Sequence, residues 1–230
     1  MLRRNDPEPR RVVVTGLGAV SPLGLDAEST WAGVITGRSG VGPITAFDAS
    51  GLATRIAASV RSFDAGQYMD IKEARRLSLF IQYAVAAAQQ AIDQARLSIP
   101  EDEQHTTGVE IGSALGGSSL VEEQRLVLEQ RGPRAVNPTF LPAILINSAA
   151  CTVGIRHGIR GPVSAPVAAC ATGAVAIGEA ARRLWSGEAD VMLAGGSDSV
   201  MTALGIAAFG RLGALSTKND TPERACAPFS

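Results

Sequence analysis

The sequence predicts an α/β fold built on a parallel sheet, and three features predict it. Val163 to Ala168 reads as a strand, Ala174 to Trp185 as a helix, and Val191-Met192-Leu193-Ala194 as a strand running into Gly195-Gly196. Strand, helix and strand joined this tightly form a right-handed βαβ unit, which brings its strands parallel. From Lys72 to Leu97, the residues Leu77, Phe80, Ile81, Ala84, Val85, Ala88, Ile92 and Ala95 recur three or four apart, the period of a long amphipathic helix. Val12-Val13-Val14-Thr15 is a β-branched run ending at Gly16-Leu17-Gly18, as a buried strand does on entering a tight turn. Composition agrees: 230 residues that are 46% hydrophobic can bury a sizeable core. Only 19% are charged, below the roughly 25% of an ordinary soluble domain, so part of the surface is expected to be covered, most simply by a partner subunit.

The remaining elements follow in order. Asp26 to Thr36 is helical, with Trp31, Val34 and Ile35 at helical spacing and Gly37 as the stop. Residues 37–70, rich in Gly, Pro, Ser and Asp, form loops around one weak strand near Ile56–Val60. Many positions between the apolar ones of the long helix are also Ala, which predicts burial on more than one side, and Pro100 follows its end. Val109 to Ala114 is a strand closed by Gly116-Gly117, and Ser119 to Gln130 is a charged amphipathic helix. Gly132 to Pro142 is a proline-punctuated loop, and Ala143 to Val153 is apolar and helical. Pro166 marks the strand at 163–168 as irregular or at an edge. In the next helix Val175, Ile177, Ala181 and Leu184 form the apolar side, and Gly187 ends it. No repeat and no linker divides the chain, so residues 11–230 are expected to form one domain behind a flexible segment, residues 1–10.

Charge and cysteine usage exclude several classes. The net charge of −1 provides no field to hold nucleic acid phosphates. The three cysteines, Cys151, Cys170 and Cys226, have no CxxC spacing and leave an odd one out, so they read as thiols of a reducing compartment. The charged start has no apolar targeting core, and no run approaches the ~18 apolar residues that span a bilayer. A cytoplasmic protein, away from membranes, is expected.

The candidate chemistry is sparse. Gly16-x-Gly18-x-x-Ser21 after a strand resembles half of a dinucleotide fingerprint, but the third glycine is missing and Pro22 stands where the helix should begin. A structural turn is the better reading. Cys170 lies in Ala168-Ala169-Cys170-Ala171-Thr172-Gly173, between a strand and a helix, where the helix's positive end favours thiolate. Small neighbours leave room there for a substrate and for backbone N–H groups to hold an oxyanion. A small core thiol is the competing reading, and the local pattern alone favours it. Cys151, in an apolar helix, and Cys226, in a terminal loop, read as structural. A nucleophilic cysteine needs a base, yet only His105, in an acidic turn, and His157, in a Gly- and Arg-bearing loop, are present. Arg75, Arg76, Arg131, Arg134, Arg211 and Lys218 are scattered and solvated, some of them available to an acidic partner.

Taken together, the motifs resemble a known family. Val12-Val13-Val14-Thr15-Gly16-Leu17-Gly18-Ala19-Val20-Ser21-Pro22-Leu23-Gly24 resembles the opening of the elongating β-ketoacyl-acyl carrier protein synthases. So do Ile111-Gly112-Ser113-Ala114-Leu115-Gly116-Gly117 and Gly158-Ile159-Arg160-Gly161-Pro162. Ala169-Cys170-Ala171-Thr172-Gly173 is similar to the family's nucleophile segment, and 189–196 and 214–220 complete the series. The resemblance runs from about Arg11 to Phe229 and reverses the balance at Cys170.

It implies a thiolase-like, layered α/β/α fold of two similar halves, acting as a homodimer. The implied reaction is a decarboxylative Claisen condensation. An acyl chain passes from acyl carrier protein to Cys170, and malonyl-acyl carrier protein loses CO₂ and attacks the thioester. The product is a 3-oxoacyl-acyl carrier protein two carbons longer. The resemblance gives the Cys170 N–H part of an oxyanion hole, makes Leu115 a gate of the acyl pocket and Phe209 a lining residue, and sends Phe140 into the neighbouring subunit's pocket. No metal and no organic cofactor is implied. In the family two histidines and a lysine complete the site from the second half, beyond the motifs matched here. The 230 residues alone are therefore expected to be inactive and poorly stable, as part of a longer synthase. A non-catalytic chain-length partner of such an enzyme and a nucleotide-binding oxidoreductase are the alternatives.

Overall fold

The computed structural model describes residues 10–228; of the segment 1–10 expected to be flexible, residues 1–9 lie outside them. In chain order the elements are α1 (Ala27–Ile35), β1 (Val41–Pro43), β2 (Ile56–Ala58), α2 (Ile71–Ala74), α3 (Leu79–Ala95), β3 (Thr107–Gly112) and α4 (Ser118–Arg131). They continue with α5 (Phe140–Ile144), α6 (Ser148–Arg156), β4 (Val163–Ser164), α7 (Thr172–Ser186), β5 (Val191–Gly196) and α8 (Ala203–Arg211).

The expected parallel sheet is present, with strand order β4-β3-β5. Val109 faces Val163, and β3 and β5 run side by side from Thr107–Val191 to Gly112–Gly196. The β4–α7–β5 crossover therefore passes over β3 before returning to the sheet. β4 stops at Ser164, short of the expected Ala168, because Pro166 has no N–H to continue the ladder. β1 and β2 pair antiparallel in a separate ribbon, with Val41 opposite Ala58.

Residues alternate across a strand, and the two faces of β3 meet different neighbours. Val109 and Ile111 enter the main apolar core with Phe80, Ile81, Ala84 and Val85 of α3 and Ala149, Ala150 and Val153 of α6. α6 lies against β3 and α3 against α6. Phe80, Ile81, Val85, Val109 and Val153 are buried to 1% exposure or less, each contributing about 1.5–3 kcal/mol from removal of its side chain from water. The other face is covered by α7, which turns Thr172, Ala176 and Ala180 inward. There Glu110, 2% exposed, is held by Arg183 Nε at 3.1 Å and by the Ser164 hydroxyl at 2.6 Å.

Four expectations need correction. The helix expected over 72–97 is two helices, α2 and α3. Ser78 is extended (φ −63°, ψ 153°), its hydroxyl donates to the Ala143 carbonyl, and Gln82 Nε2 donates to the carbonyls of Ala74 and Leu77. A side chain thus satisfies the carbonyls that a continuous helix would have bonded. The helix expected over 143–153 is likewise divided into α5 and α6, with Leu145 extended between them. Of the apolar side assigned to the helix at 174–185, Ala181 and Leu184 are half-buried, but Val175 and Ile177 are exposed, because the residues that face the strand surface are the small Thr172, Ala176 and Ala180.

The fourth correction concerns Val12–Thr15. Among the described residues no strand pairs with it, and Val13 and Val14 are exposed. The chain is drawn onto α3 instead, where Gln94 Oε1 accepts from Leu17 N–H at 2.6 Å and Gln90 Oε1 from Ala19 N–H at 3.0 Å. Gly16 and Gly18 permit this approach, since a Cβ on either would run into the carbonyl of Ala91 or Ala87. The paired glycines serve helix packing, and α1 begins only at Ala27. α3 is accordingly covered on two sides, as its alanines predicted. In α1, by contrast, Trp31, Val34 and Ile35 are exposed and only Gly33 is buried.

Candidate active site

Cys170 sits where the chain, leaving β4, turns into α7. Ala168 has φ −144° and ψ 38°, and Ala169 has φ 48°, in the left-handed region that alanine rarely adopts. A single 3₁₀ turn over Ala169–Ala171 follows and α7 starts at Thr172, leaving the Cys170 thiol exposed. The Thr172 hydroxyl accepts from Ala168 N–H at 2.8 Å and donates to the Ala169 carbonyl at 2.7 Å. This end of α7 stands on the sheet. A Cβ on Gly196 would come within 2.9 Å of Gly173 Cα, and one on Gly112 would meet the Thr172 methyl. Cys170 therefore lies beyond the carboxyl ends of parallel strands, the place where open α/β sheets receive ligands.

Leu115 follows the carboxyl end of β3. Its turn is held by Asp198, just past β5: Oδ1 accepts from the Ser113 hydroxyl at 2.8 Å and Leu115 N–H at 3.0 Å, and Oδ2 from Ala114 N–H at 3.0 Å. Gly116, at φ 53°, donates to Ser113 Oγ and completes the turn. Phe209 lies on α8, the helix after β5, whose N-cap Thr202 accepts from Gly205 N–H at 3.0 Å and donates to Glu122 Oε1 of α4 at 2.6 Å. Leu115 and Phe209 meet in an apolar cavity of about 280 Å³, with Val200, Leu204 and Glu122 also in its wall.

Phe140 is not in that wall. It opens α5 and is half-buried, and the last carbonyl of α5, at Ile144, accepts from Gly117 N–H beside the Leu115 turn. Cys170 does not line the cavity either. The structure thus places Cys170, Leu115 and Phe209 after the carboxyl ends of β4, β3 and β5, with Phe140 tied to the same rim.

The other candidates lie elsewhere. Cys151 is half-buried on α6, with Asn147 Nδ2 at 3.7 Å from its sulfur, and Cys226 is exposed. His105 precedes the first residue of β3 and His157 caps α6 before β4, so both stand at the amino ends of the strands. A six-residue strand spans about 20 Å, which sets both histidines apart from Cys170. Burial and then the neighbouring Arg156 charge hold the His157 pKa below its usual 6.5, against a smaller pull from Asp93. Its Nε2 is buried without a hydrogen-bond partner. Arg75, Arg76, Arg131, Arg134, Arg211 and Lys218 are exposed. No group of three or more His, Cys, Asp or Glu among the described residues is placed to hold a metal ion. No helix among them is long and apolar enough to cross a membrane.

Sequence reading gave no role to two residues that build these turns, Asp198 and Thr172. Asp198 carried the one available signal, an acid two residues after the Gly-Gly end of a predicted strand.

Residues 9–230 match the family model described as "Beta-ketoacyl synthase, N-terminal domain". The 3-oxoacyl-[acyl-carrier-protein] synthase 2 of Vibrio harveyi is 46% identical over 220 residues, covering 96% of this chain and 53% of its own. That of Staphylococcus aureus (strain COL) is 41% identical over 220 residues, again with 96% and 53% covered. The chain thus spans about half the length of the curated relatives it matches. Among solved structures, the ishigamide ketosynthase/chain length factor aligns with a TM-score of 0.80 at 31% identity, over 90% of this chain and 52% of that one. A β-ketoacyl synthase from Burkholderia phymatum STM815 aligns with a TM-score of 0.81 at 27% identity, over 95% and 54%. The layered parallel α/β architecture, the order of the motifs and the family match lead to one assignment: this chain belongs to the β-ketoacyl synthases and carries their thiolase-like N-terminal domain.

Proposed function

We propose that this chain supplies the acyl-accepting half of a 3-oxoacyl-acyl carrier protein synthase, with Cys170 as the nucleophile. The observation that carries the reading is the exposed thiol on the first turn into α7, at the carboxyl edge of the sheet. The 41–46% identity to 3-oxoacyl-[acyl-carrier-protein] synthases supports it. The Cys170 sulfur attacks the thioester carbonyl of acyl-acyl carrier protein; a C–S bond forms, and the carrier's thiol leaves with the proton. Malonyl-acyl carrier protein loses CO₂, and the resulting carbanion attacks the acyl-Cys170 carbonyl. A C–C bond forms, the C–S bond to Cys170 breaks, and the released thiolate takes up a proton from water, which restores the thiol and leaves a 3-oxoacyl chain two carbons longer. The balance requires no metal and no organic cofactor.

The Cys170 N–H contributes to the oxyanion hole in this proposal, where a missing donor costs about 10²–10³ in rate. Leu115 gates the acyl pocket, Phe209 lines it, and Phe140 reaches the pocket of a second subunit in a cytoplasmic homodimer. The apolar cavity shared by Leu115 and Phe209 supports the first two roles. His105 and His157 stand at the far end of the strands, and in this proposal the groups assisting decarboxylation come from outside the described residues.

Incubation of the full-length protein with acyl-acyl carrier protein, followed by peptide mass spectrometry, tests the reading. An acyl mass on the Cys170 peptide, lost in Cys170→Ala, is expected. Absence of acylation at Cys170 would reject it in favour of a non-catalytic chain-length partner.

A further inference from the structure

The Cys170 sulfur is exposed, and no side chain among the described residues hydrogen-bonds to it. Its direction is therefore set by the backbone on which it stands. That backbone passes through Ala169 at φ 48°, a conformation that persists for a non-glycine residue only where the surroundings impose it. One side chain spans the unfavourable residue. Thr172 Oγ1 takes the Ala168 N–H before it and gives its own proton to the Ala169 carbonyl after it. The proton and one of the two lone pairs are committed, which fixes the hydroxyl's orientation. Thr172 is itself fixed: it is 2% exposed, and its methyl occupies the space over Gly112 that a Cβ there would need.

We propose that Thr172 is the positioning residue of the nucleophile, transferring the rigidity of β3 to the turn that aims Cys170 outward. This rests on the reading of Cys170 as the acyl-accepting thiol. The test uses alkylation instead of acylation, so the two can fail separately: no acyl adduct in the wild type removes the functional reading and leaves the alkylation rates untouched. Iodoacetamide labelling of the full-length protein is followed by mass spectrometry at Cys170, with the exposed Cys226 as internal reference.

Thr172→Ser keeps the hydroxyl and should label within about two-fold of wild type, while Thr172→Val keeps the volume without it and should change the Cys170:Cys226 ratio by about ten-fold or more. Adding Ala169→Gly to Thr172→Val should recover much of the wild-type ratio, since glycine adopts positive φ unaided. A role confined to packing would give no such recovery. Wild-type labelling in Thr172→Val overturns the proposal. If that variant does not fold, hydrogen exchange of the wild-type protein decides: a protected Ala168 amide supports the clamp, and exchange at the rate of an unstructured peptide refutes it.

Discussion

The two faces of β3 are built on opposite principles. Toward α3 and α6, large side chains interlock: Phe80, Ile81, Val85, Val109 and Val153 are almost wholly removed from solvent. Toward α7, the strand offers Gly108, Glu110 and Gly112, and the helix answers with Thr172, Ala176, Ala180 and Arg183. The first face gains stability from buried hydrocarbon, which tolerates modest repacking. The second uses small residues and fixed polar contacts, which define where a helix starts. The nucleophile candidate belongs to the second face. Accurate placement and bulk stability are separated within one strand.

Three measurements break or sharpen that contrast, from the largest effect to the smallest. Phe80→Ala should cost about 4 kcal/mol in urea unfolding of the full-length protein, and a loss below about 1 kcal/mol would deny that the α3–α6 face carries the stability. Arg183→Ala should cost about 3 kcal/mol, because Glu110, with a side chain 3% exposed, would be left buried with only the Ser164 hydroxyl beside it. The double replacement Glu110→Leu with Arg183→Leu should return most of that loss if the pair serves position more than stability. A double variant as unstable as Arg183→Ala would contradict this.

The smallest effect lies at the amino end of the sheet, in His157. Its folded pKa is lowered below 6.5 by burial, so the unfolded chain binds this proton more readily. Its contribution is complete above the unfolded pKa and is lost as the pH falls below it. Between about pH 7.5 and about pH 5.5 the wild type should lose more Tm than His157→Gln. Equal losses would show that the buried imidazole plays no part.

What the sequence revealed follows from how local each feature is. The strand, the alanine-rich entry to α7 and Cys170 within it were legible because adjacent residues set them. The break between α2 and α3 was not, because Leu77 fits the helical period and the interruption depends on a Ser78 hydroxyl bonded to Ala143, 65 residues away. Hydrophobicity placed Val175 and Ile177 inward, whereas the residues of α7 buried against the sheet are Thr172, Ala176 and Ala180. The β-branched pattern of Val12–Thr15 identified a segment able to form a strand, but pairing needs a free edge in register, and Gln90 and Gln94 tie the residues that follow to α3. Cys170 and Leu115 emerged as motifs, whereas the hydrogen bonds by which Thr172 and Asp198 hold the turns beneath them emerged only from the structure.

Both tryptophans stand at the surface, Trp31 on α1 at 63% exposure and Trp185 near the end of α7 at 49%. Intrinsic fluorescence of this chain is therefore a weak reporter of core melting and a sensitive one of whatever comes to lie over its helices. A blue shift in emission would register the covering of α7's outer side, on the helix that begins just beyond Cys170.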